Sequence, residues 1–237
     1  MPPASSTRTH HDCLSCEHRY ERLFCNLDHG ALADFDSLGT HCHFEPGISI
    51  FEEETPIGEV YVLCEGRVKL SSTSRQGKTL ILKIAHPGDV LGLGAVLSGS
   101  RYEVTAETLE PTRVKAMPRE DFLAFMQKHG EVSMHAAQAL SEEYKTVFLD
   151  ARRLALSSSA AGRLAGLLLE WGRAAAHGKT EMRFTMSLTH EDLANLIGTS
   201  RETVTRMLGK FKRDKLIQMR GATIVLLAPD KLEVMAA

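Results

Sequence analysis

With 237 residues, of which 43% are hydrophobic and 24% charged, the chain has the composition of a soluble globular protein with room for two modest cores. No apolar run approaches the roughly 18 residues of a membrane span, and the N-terminal segment lacks the apolar stretch of a secretory signal, so a cytoplasmic protein is expected. The net charge of −2 says little alone, but five cysteines, an odd number in a reducing compartment, exclude a disulfide framework.

In chain order, residues 1–30 form a polar leader rich in cysteine and histidine, holding Cys13, Cys16 and Cys25. Residues 31–120 carry short alternating segments divided by glycine turns. Strands are predicted at 48–51, 60–63, 67–72, 80–85, 102–105 and 113–117, with turns at Glu65-Gly66, Gln76-Gly77 and Pro87-Gly88-Asp89. Such spacing implies an antiparallel sandwich or roll rather than a parallel sheet. From Pro118 the period becomes helical, with a short helix over 120–128 and a long one over 132–156. Leu140, Tyr144, Val147, Ala151 and Leu154 step by four and three, as a heptad seam or a core-facing stripe does. The region 121–156 therefore reads as a helix able to pair with a second copy. Residues 157–237 form the last domain. There Ser157-Ser158-Ser159 is a hinge and helix start, 160–176 is a helix stopped at His177-Gly178, and a hairpin over 216–227 turns at Arg220-Gly221.

The most informative stretch begins at Leu188. Thr189 with Asp192 makes a capping start, Leu193, Ala194 and Ile197 bury one face of a first helix, Gly198 permits a sharp turn, and Ser200 caps a second helix. With Val204, Leu208 and Phe211 facing inward, Arg201, Glu202, Thr205 and Arg206 face outward at the N-terminal end of that helix. A recognition helix places base-reading side chains there, because an arginine fork matches guanine and a carboxylate accepts from the cytosine amino group. Lys210, Lys212 and Arg213 lie further along and suit phosphates. Between Arg201 and Arg220 seven basic residues face only two acids, the local charge of a polyanion contact or of a solvated helix. The predicted partner is double-stranded DNA. No Walker loop, HExxH or GxSxG elbow is present, and an enzyme is not expected. A ligand receptor built on the roll alone remains the alternative, and it has no need of the Arg201, Glu202 and Arg206 set.

Asp192-Leu-Ala, Ile197-Gly and Ser200-Arg-Glu-Thr-Val-Thr-Arg206 resemble the helix-turn-helix of the Crp/Fnr superfamily of transcription regulators. Gly66-Arg-Val-Lys-Leu, Gly77 and Pro87-Gly-Asp-Val-Leu-Gly are similar to its cyclic-nucleotide-binding roll, so the resemblance covers about residues 13–230. It implies an α+β architecture: an N-terminal double-stranded β-roll, a long dimerisation helix and a C-terminal winged helix-turn-helix. It further implies a homodimer on a pseudo-palindromic site in contact with RNA polymerase. Ser200, Arg201, Glu202, Thr205 and Arg206 then sit at the family's base-reading end, with Arg201 favouring a half-site like TGTGA over TTGAT.

The resemblance also frames the signal. Cyclic-AMP-binding members carry a glutamate and an Arg-Ser or Arg-Thr pair, where this chain has Gly92-Leu93-Gly94 and Tyr102-Glu103-Val104, so cyclic AMP is not expected. Cys13-x-x-Cys16-x8-Cys25 is similar to the leader of oxygen-responsive Fnr proteins, whose cysteines hold a [4Fe–4S] cluster. The family's fourth cysteine lies in the last strand of the roll, here Thr112-Arg-Val-Lys-Ala-Met-Pro118 with no cysteine. Cys42, Cys64, His18, His41 and His43 are the substitutes to weigh. Cys64 reads as a buried core residue, which leaves Cys42, between two histidines, the better candidate. A zinc site, a thiol switch and a vestigial leader compete with the cluster.

Overall fold

Side chains between Thr40 and Pro118 alternate between two kinds of neighbour, and that alternation builds two antiparallel sheets. The structure, a computed structural model, describes residues 7–9, 12–156, 159–176, 181–186 and 188–236. The chain divides into two units, Met1–Thr146 and Val147–Ala237. In the first, strands β1 (Thr7–Thr9), β2 (Thr40–Phe44), β4 (Glu59–Glu65), β7 (Val90–Leu91) and β9 (Thr112–Pro118) form a sheet ordered β1-β2-β9-β4-β7. Strands β3 (Ser49–Phe51), β5 (Val68–Thr73), β6 (Thr79–Ala85) and β8 (Thr105–Thr108) form a second, ordered β3-β8-β5-β6.

Cys42 and Phe44 of β2, Tyr61 and Leu63 of β4, and Val114 and Ala116 of β9 point into the roll. Their neighbours Val60, Val62 and Met117 point outward, into a second core with α1 (His29–Ser37), α3 (Arg119–Lys128) and the start of α4 (Gly130–Leu156). The period of two along a strand sends successive residues to opposite faces, so a strand covered on both sides reads as apolar throughout. Inside the roll, Phe51 stacks on Tyr102 with centroids 3.9 Å apart and on Tyr61 at 5.7 Å, and the Tyr102 hydroxyl donates to the Glu59 carbonyl at 2.7 Å. Gly66 turns β4 into β5 at φ 85°, and a Cβ there would stand 2.6 Å from the Pro111 carbonyl oxygen. Only glycine fits such a turn.

Several boundaries differ from expectation. The strand expected at 102–105 lies at Thr105–Thr108 instead. Tyr102 stands just before a bend at Glu103 and Val104, its ring drawn into the roll while its N–H donates to the Thr55 carbonyl. Helix α1 straddles the boundary expected at residue 30, and neither it nor α2 (Leu93–Ser98) is among the predicted elements. Asp28 starts the first by accepting from the Ala31 N–H at 2.7 Å, and only Ala31, Leu32 and Phe35 face inward, too short a pattern to stand out. On α4, Tyr144, Val147, Phe148 and Leu149 are exposed. The side chains of Ala151 and Leu154 lie outside the described residues, as do Ser157, Ser158 and the stop at His177-Gly178.

The second unit holds α5 (Ala160–Ala176), α6 (His190–Ile197), α7 (Arg201–Arg213), α8 (Pro229–Ala236) and an antiparallel sheet. That sheet is ordered β10-β12-β11, from Arg183–Thr185, Thr223–Leu226 and Ile217–Arg220. Arg220 pairs with Thr223, so the hairpin turns through Gly221 and Ala222, one residue later than expected. Among the described residues no helix is long and apolar enough to cross a membrane.

Candidate nucleic-acid interface and cysteine site

Local chemistry dictates the helix pair. Thr189 accepts from the Asp192 N–H at 3.1 Å while the Asp192 carboxylate accepts from the Thr189 N–H at 3.0 Å, a complete capping box at the start of α6. Gly198 ends α6 at φ 64°, a left-handed conformation that frees the chain to turn sharply, and Ser200 caps α7 by accepting from the Thr203 N–H at 3.3 Å. Arg163 of α5 donates to the Ile197 carbonyl at 2.7 Å and fixes the end of α6. Val204, Met207, Leu208 and Phe211 are buried, Met207 joining the three inward residues expected.

The opposite face of α7 is open. Ser200, Arg201, Glu202, Thr205, Arg206, Lys210, Lys212 and Arg213 are all exposed, and the structure gathers them on one outward surface. The Glu202 carboxyl is held below the usual carboxylate range, first by its own backbone N–H in the opening turn and then by the Ser200 hydroxyl, and so stays ionised at neutral pH. Two internal contacts brace this face. His190 Nδ1 lies 2.9 Å from the Thr205 hydroxyl, which itself donates to the Arg201 carbonyl at 3.0 Å, so His190 straps α6 to α7. The isolated sequence offers no sign of that strap, because the two residues lie on different helices.

The second constellation lies on the outward face of the first sheet. Cys13, Cys16, Cys25 and Cys64 line one small cavity of about 20 Å³, together with His41 and Arg113. All five cysteines are free thiols. The strand pattern decides which of the later cysteines joins the leader. Cys64 continues the outward series of Val60 and Val62 on β4, whereas Cys42 shares the inward series of Phe44 and is fully buried inside the roll. The expectation that Cys42 is the better candidate is therefore corrected: its histidine neighbours point the other way, and His41 Nε2 stands 3.9 Å from Cys13 Sγ. Cys64 is not a residue of either core; it is half-buried beside the leader thiols.

Burial pushes the Cys13 and Cys25 thiols up to about 12, with Lys115 pulling Cys13 down and Cys64 pushing Cys25 further up. Burial raises Cys64 as well. Without metal these thiols are protonated at neutral pH, and binding a metal releases their protons. Sequence reasoning missed the cations. Arg113 and Lys115 occupy the outward positions of β9, both buried, with Arg113 paired to Glu65 and the Lys115 ammonium donating to the Asp36 carbonyl at 3.0 Å. Their alternation with Val114 and Ala116 was the available signal. Among the described residues no group of three ligands converges tightly enough to hold a single metal ion. Four soft thiols line one cavity, the donor chemistry that an iron–sulfur cluster would take.

Residues 41–129 match the cyclic nucleotide-binding domain family, and 162–235 match the Crp-like helix-turn-helix domain. The nitrogen fixation regulation protein FixK of Bradyrhizobium diazoefficiens is 29% identical over 232 residues, covering 96% of this chain and 94% of its own. The CRP-like cAMP-activated global transcriptional regulator of Mycobacterium tuberculosis is 24% identical over 211 residues, covering 89% of this chain and 94% of its own. The solved structure of FixK2 from Bradyrhizobium japonicum superposes with a TM-score of 0.74 at 23% identity, over 84% of this chain and 98% of that one. That last likeness speaks for the fold.

Proposed function

Because the chain belongs to the Crp/Fnr family of DNA-binding transcription regulators, we propose that it acts as a homodimer on a palindromic site and that its DNA affinity follows a redox signal received at the cysteine site. The carrying observation is the outward face of α7. Arg201, Glu202 and Arg206 stand at its exposed N-terminal end, where a helix laid in the major groove meets base edges. Arginine forks read guanine, Glu202 accepts from a cytosine amino group, and Lys210, Lys212 and Arg213 meet phosphates. Exposed Tyr144, Val147, Phe148 and Leu149 give α4 an apolar face that a second copy covers. RNA polymerase is the further partner, and the cytoplasm the compartment.

For the signal, a [4Fe–4S] cluster on Cys13, Cys16 and Cys25 is favoured over a thiol switch, because a reactive thiol needs a lowered pKa and burial raises those of Cys13 and Cys25. Such a group supplies an oxygen-sensitive one-electron centre. Cyclic AMP is disfavoured: Leu93 is buried among apolar neighbours, Glu103 is a carboxylate where a phosphate ligand is wanted, and Phe51, Tyr61 and Tyr102 fill the roll.

Fluorescence anisotropy with a palindromic and a random duplex, at two salt concentrations, tests the reading. The palindrome is expected to bind at least about 10³-fold more tightly, and both affinities are expected to fall steeply as salt rises. Equal affinity for the two duplexes refutes it.

A further inference from the structure

We propose that Cys64 is the fourth thiolate of the cysteine site, so that one metal centre ties the leader to strand β4. This rests on the metal-site reading above and deepens it. Cys64 faces outward on β4 and lines the same cavity as Cys13, Cys16 and Cys25, while Cys42, the remaining thiol, is sealed on the other side of the sheet. β9, which lacks a cysteine, lies between β2 and β4, and it turns Arg113 and Lys115 to the same outward face.

The charges on β9 point the same way. Lys115 is 1% exposed, yet among the described residues its ammonium has no carboxylate partner; it meets one backbone carbonyl and stands over the Phe35 ring at 5.3 Å. A buried charge is costly unless it meets an opposite charge. Lys115 lies within electrostatic reach of Cys13, Cys25 and Cys64, and Arg113 within reach of Cys64. Four thiolates around a metal centre carry surplus negative charge, which Lys115 offsets, Arg113 being shared with Glu65.

The thiols differ in how they are held. Cys64 belongs to β4, at a bulge between the paired residues Leu63 and Glu65, whereas Cys13 and Cys16 lie on turns closed by backbone bonds of 3.3–3.4 Å. The cavity of about 20 Å³ is smaller than a cluster, so loading requires the leader turns to give way beside β4. The leader continues directly into Phe24, which packs with Phe122 and His135, the latter on α4. Filling the site thus bears on the start of α4.

Anaerobic reconstitution of the full chain with iron and sulfide, and separately with zinc, tests this in the wild type, Cys64→Ser and Cys42→Ser. Bound iron and labile sulfide are assayed alongside alkylation of each cysteine, mapped by mass spectrometry. The wild type and Cys42→Ser are expected to load fully and Cys64→Ser to lose most of its iron. In loaded wild-type protein Cys13, Cys16, Cys25 and Cys64 are protected together, and a chelator exposes all four together while Cys42 stays shielded throughout. The alkylation map does not depend on any variant folding. Full loading of Cys64→Ser, or alkylation of Cys64 in the loaded wild type, overturns the assignment and leaves the cluster reading standing. Stoichiometric zinc with no iron, and Cys64 protected, upholds the four-thiol site and overturns the cluster. Uptake of neither metal overturns both.

Discussion

The ring of Phe24 stands edge-on to that of His135, with centroids 6.3 Å apart and planes at 72°. One residue before Cys25, the chain is thereby pressed against the first turns of α4. A second tie lies close by, where the Asp28 N–H donates to the Glu131 carboxylate at 3.2 Å. Leader and long helix share one outer core with Phe122, Val132 and Ala136, so a change in the leader's conformation meets α4 through packed side chains.

Phe24→Leu tests that route. The substitution keeps an apolar side chain, so a modest loss of stability, about 1–2 kcal/mol, is expected by thermal unfolding. Its larger effect falls on coupling. The ratio of DNA affinity between metal-loaded and metal-free protein should move toward one, while the affinity of the more active form changes little. A ratio equal to that of the wild type would place the route elsewhere.

His135 carries a cost of its own. Among the described residues its Nδ1, a buried nitrogen, has no hydrogen-bond partner, and a buried polar atom left unsatisfied costs about 1–3 kcal/mol. His135→Leu removes the atom and leaves an apolar side chain of similar bulk facing Phe24. The melting temperature of the variant should equal or exceed that of the wild type, against the usual fall for a change at a packed position. A clear drop in Tm would show that the ring earns its place through a contact other than Phe24.

On α7 the two classes of cation separate by what they read. Arg206→Ala should cost about 1–3 kcal/mol on the preferred site and relax one base position, a change seen in binding to a panel of single-base variants. Lys212→Ala should weaken binding to every duplex alike and lower the slope of log K against log salt by about one. His190→Ala leaves both cations in place but removes the tie between α6 and the Thr205 hydroxyl, and a partial loss of site preference is expected. An Arg206→Ala variant equally weakened on all duplexes would mean that this guanidinium touches only phosphate.

The helix pair was legible because every signal in it is local. The cap at Thr189, the turn at Gly198 and the inward set of Val204, Leu208 and Phe211 lie within a few residues of what they control. The cysteine site was half legible for the opposite reason. Cys13, Cys16 and Cys25 announce themselves by spacing, but their relation to Cys64 depends on which face of β4 each residue takes. An apolar strand buried on both faces gives no polar alternation from which to assign them. The His190 strap was invisible because it joins residues on two helices, and the partner of Lys115 lies far along the chain although its outward place on β9 could be read from the alternation. Helix α8 went unread because only Leu232 of its residues is buried.

Arg67 and Glu110 supply a pH test in the first unit. The guanidinium grips the carboxylate with two bonds, Nε to Oε1 at 3.0 Å and Nη2 to Oε2 at 2.8 Å, across the Gly66 turn. This contact holds the Glu110 carboxyl below its ordinary 4.5, and raises the guanidinium in turn. In the unfolded chain Glu110 regains its ordinary value and binds more protons there, so its contribution to stability rises with pH through this window. The contribution is complete above 4.5 and disappears as pH falls through the lowered folded-state value. Both side chains keep contact with solvent, which limits the effect to about 1 kcal/mol or less. Glu110→Gln should therefore melt below the wild type at neutral pH, and the gap should close as the buffer is taken into the acid range. Added salt should narrow the gap at neutral pH, since screening weakens the pair. A gap that persists unchanged into strong acid would assign the loss to altered turn geometry and not to the charge on Glu110.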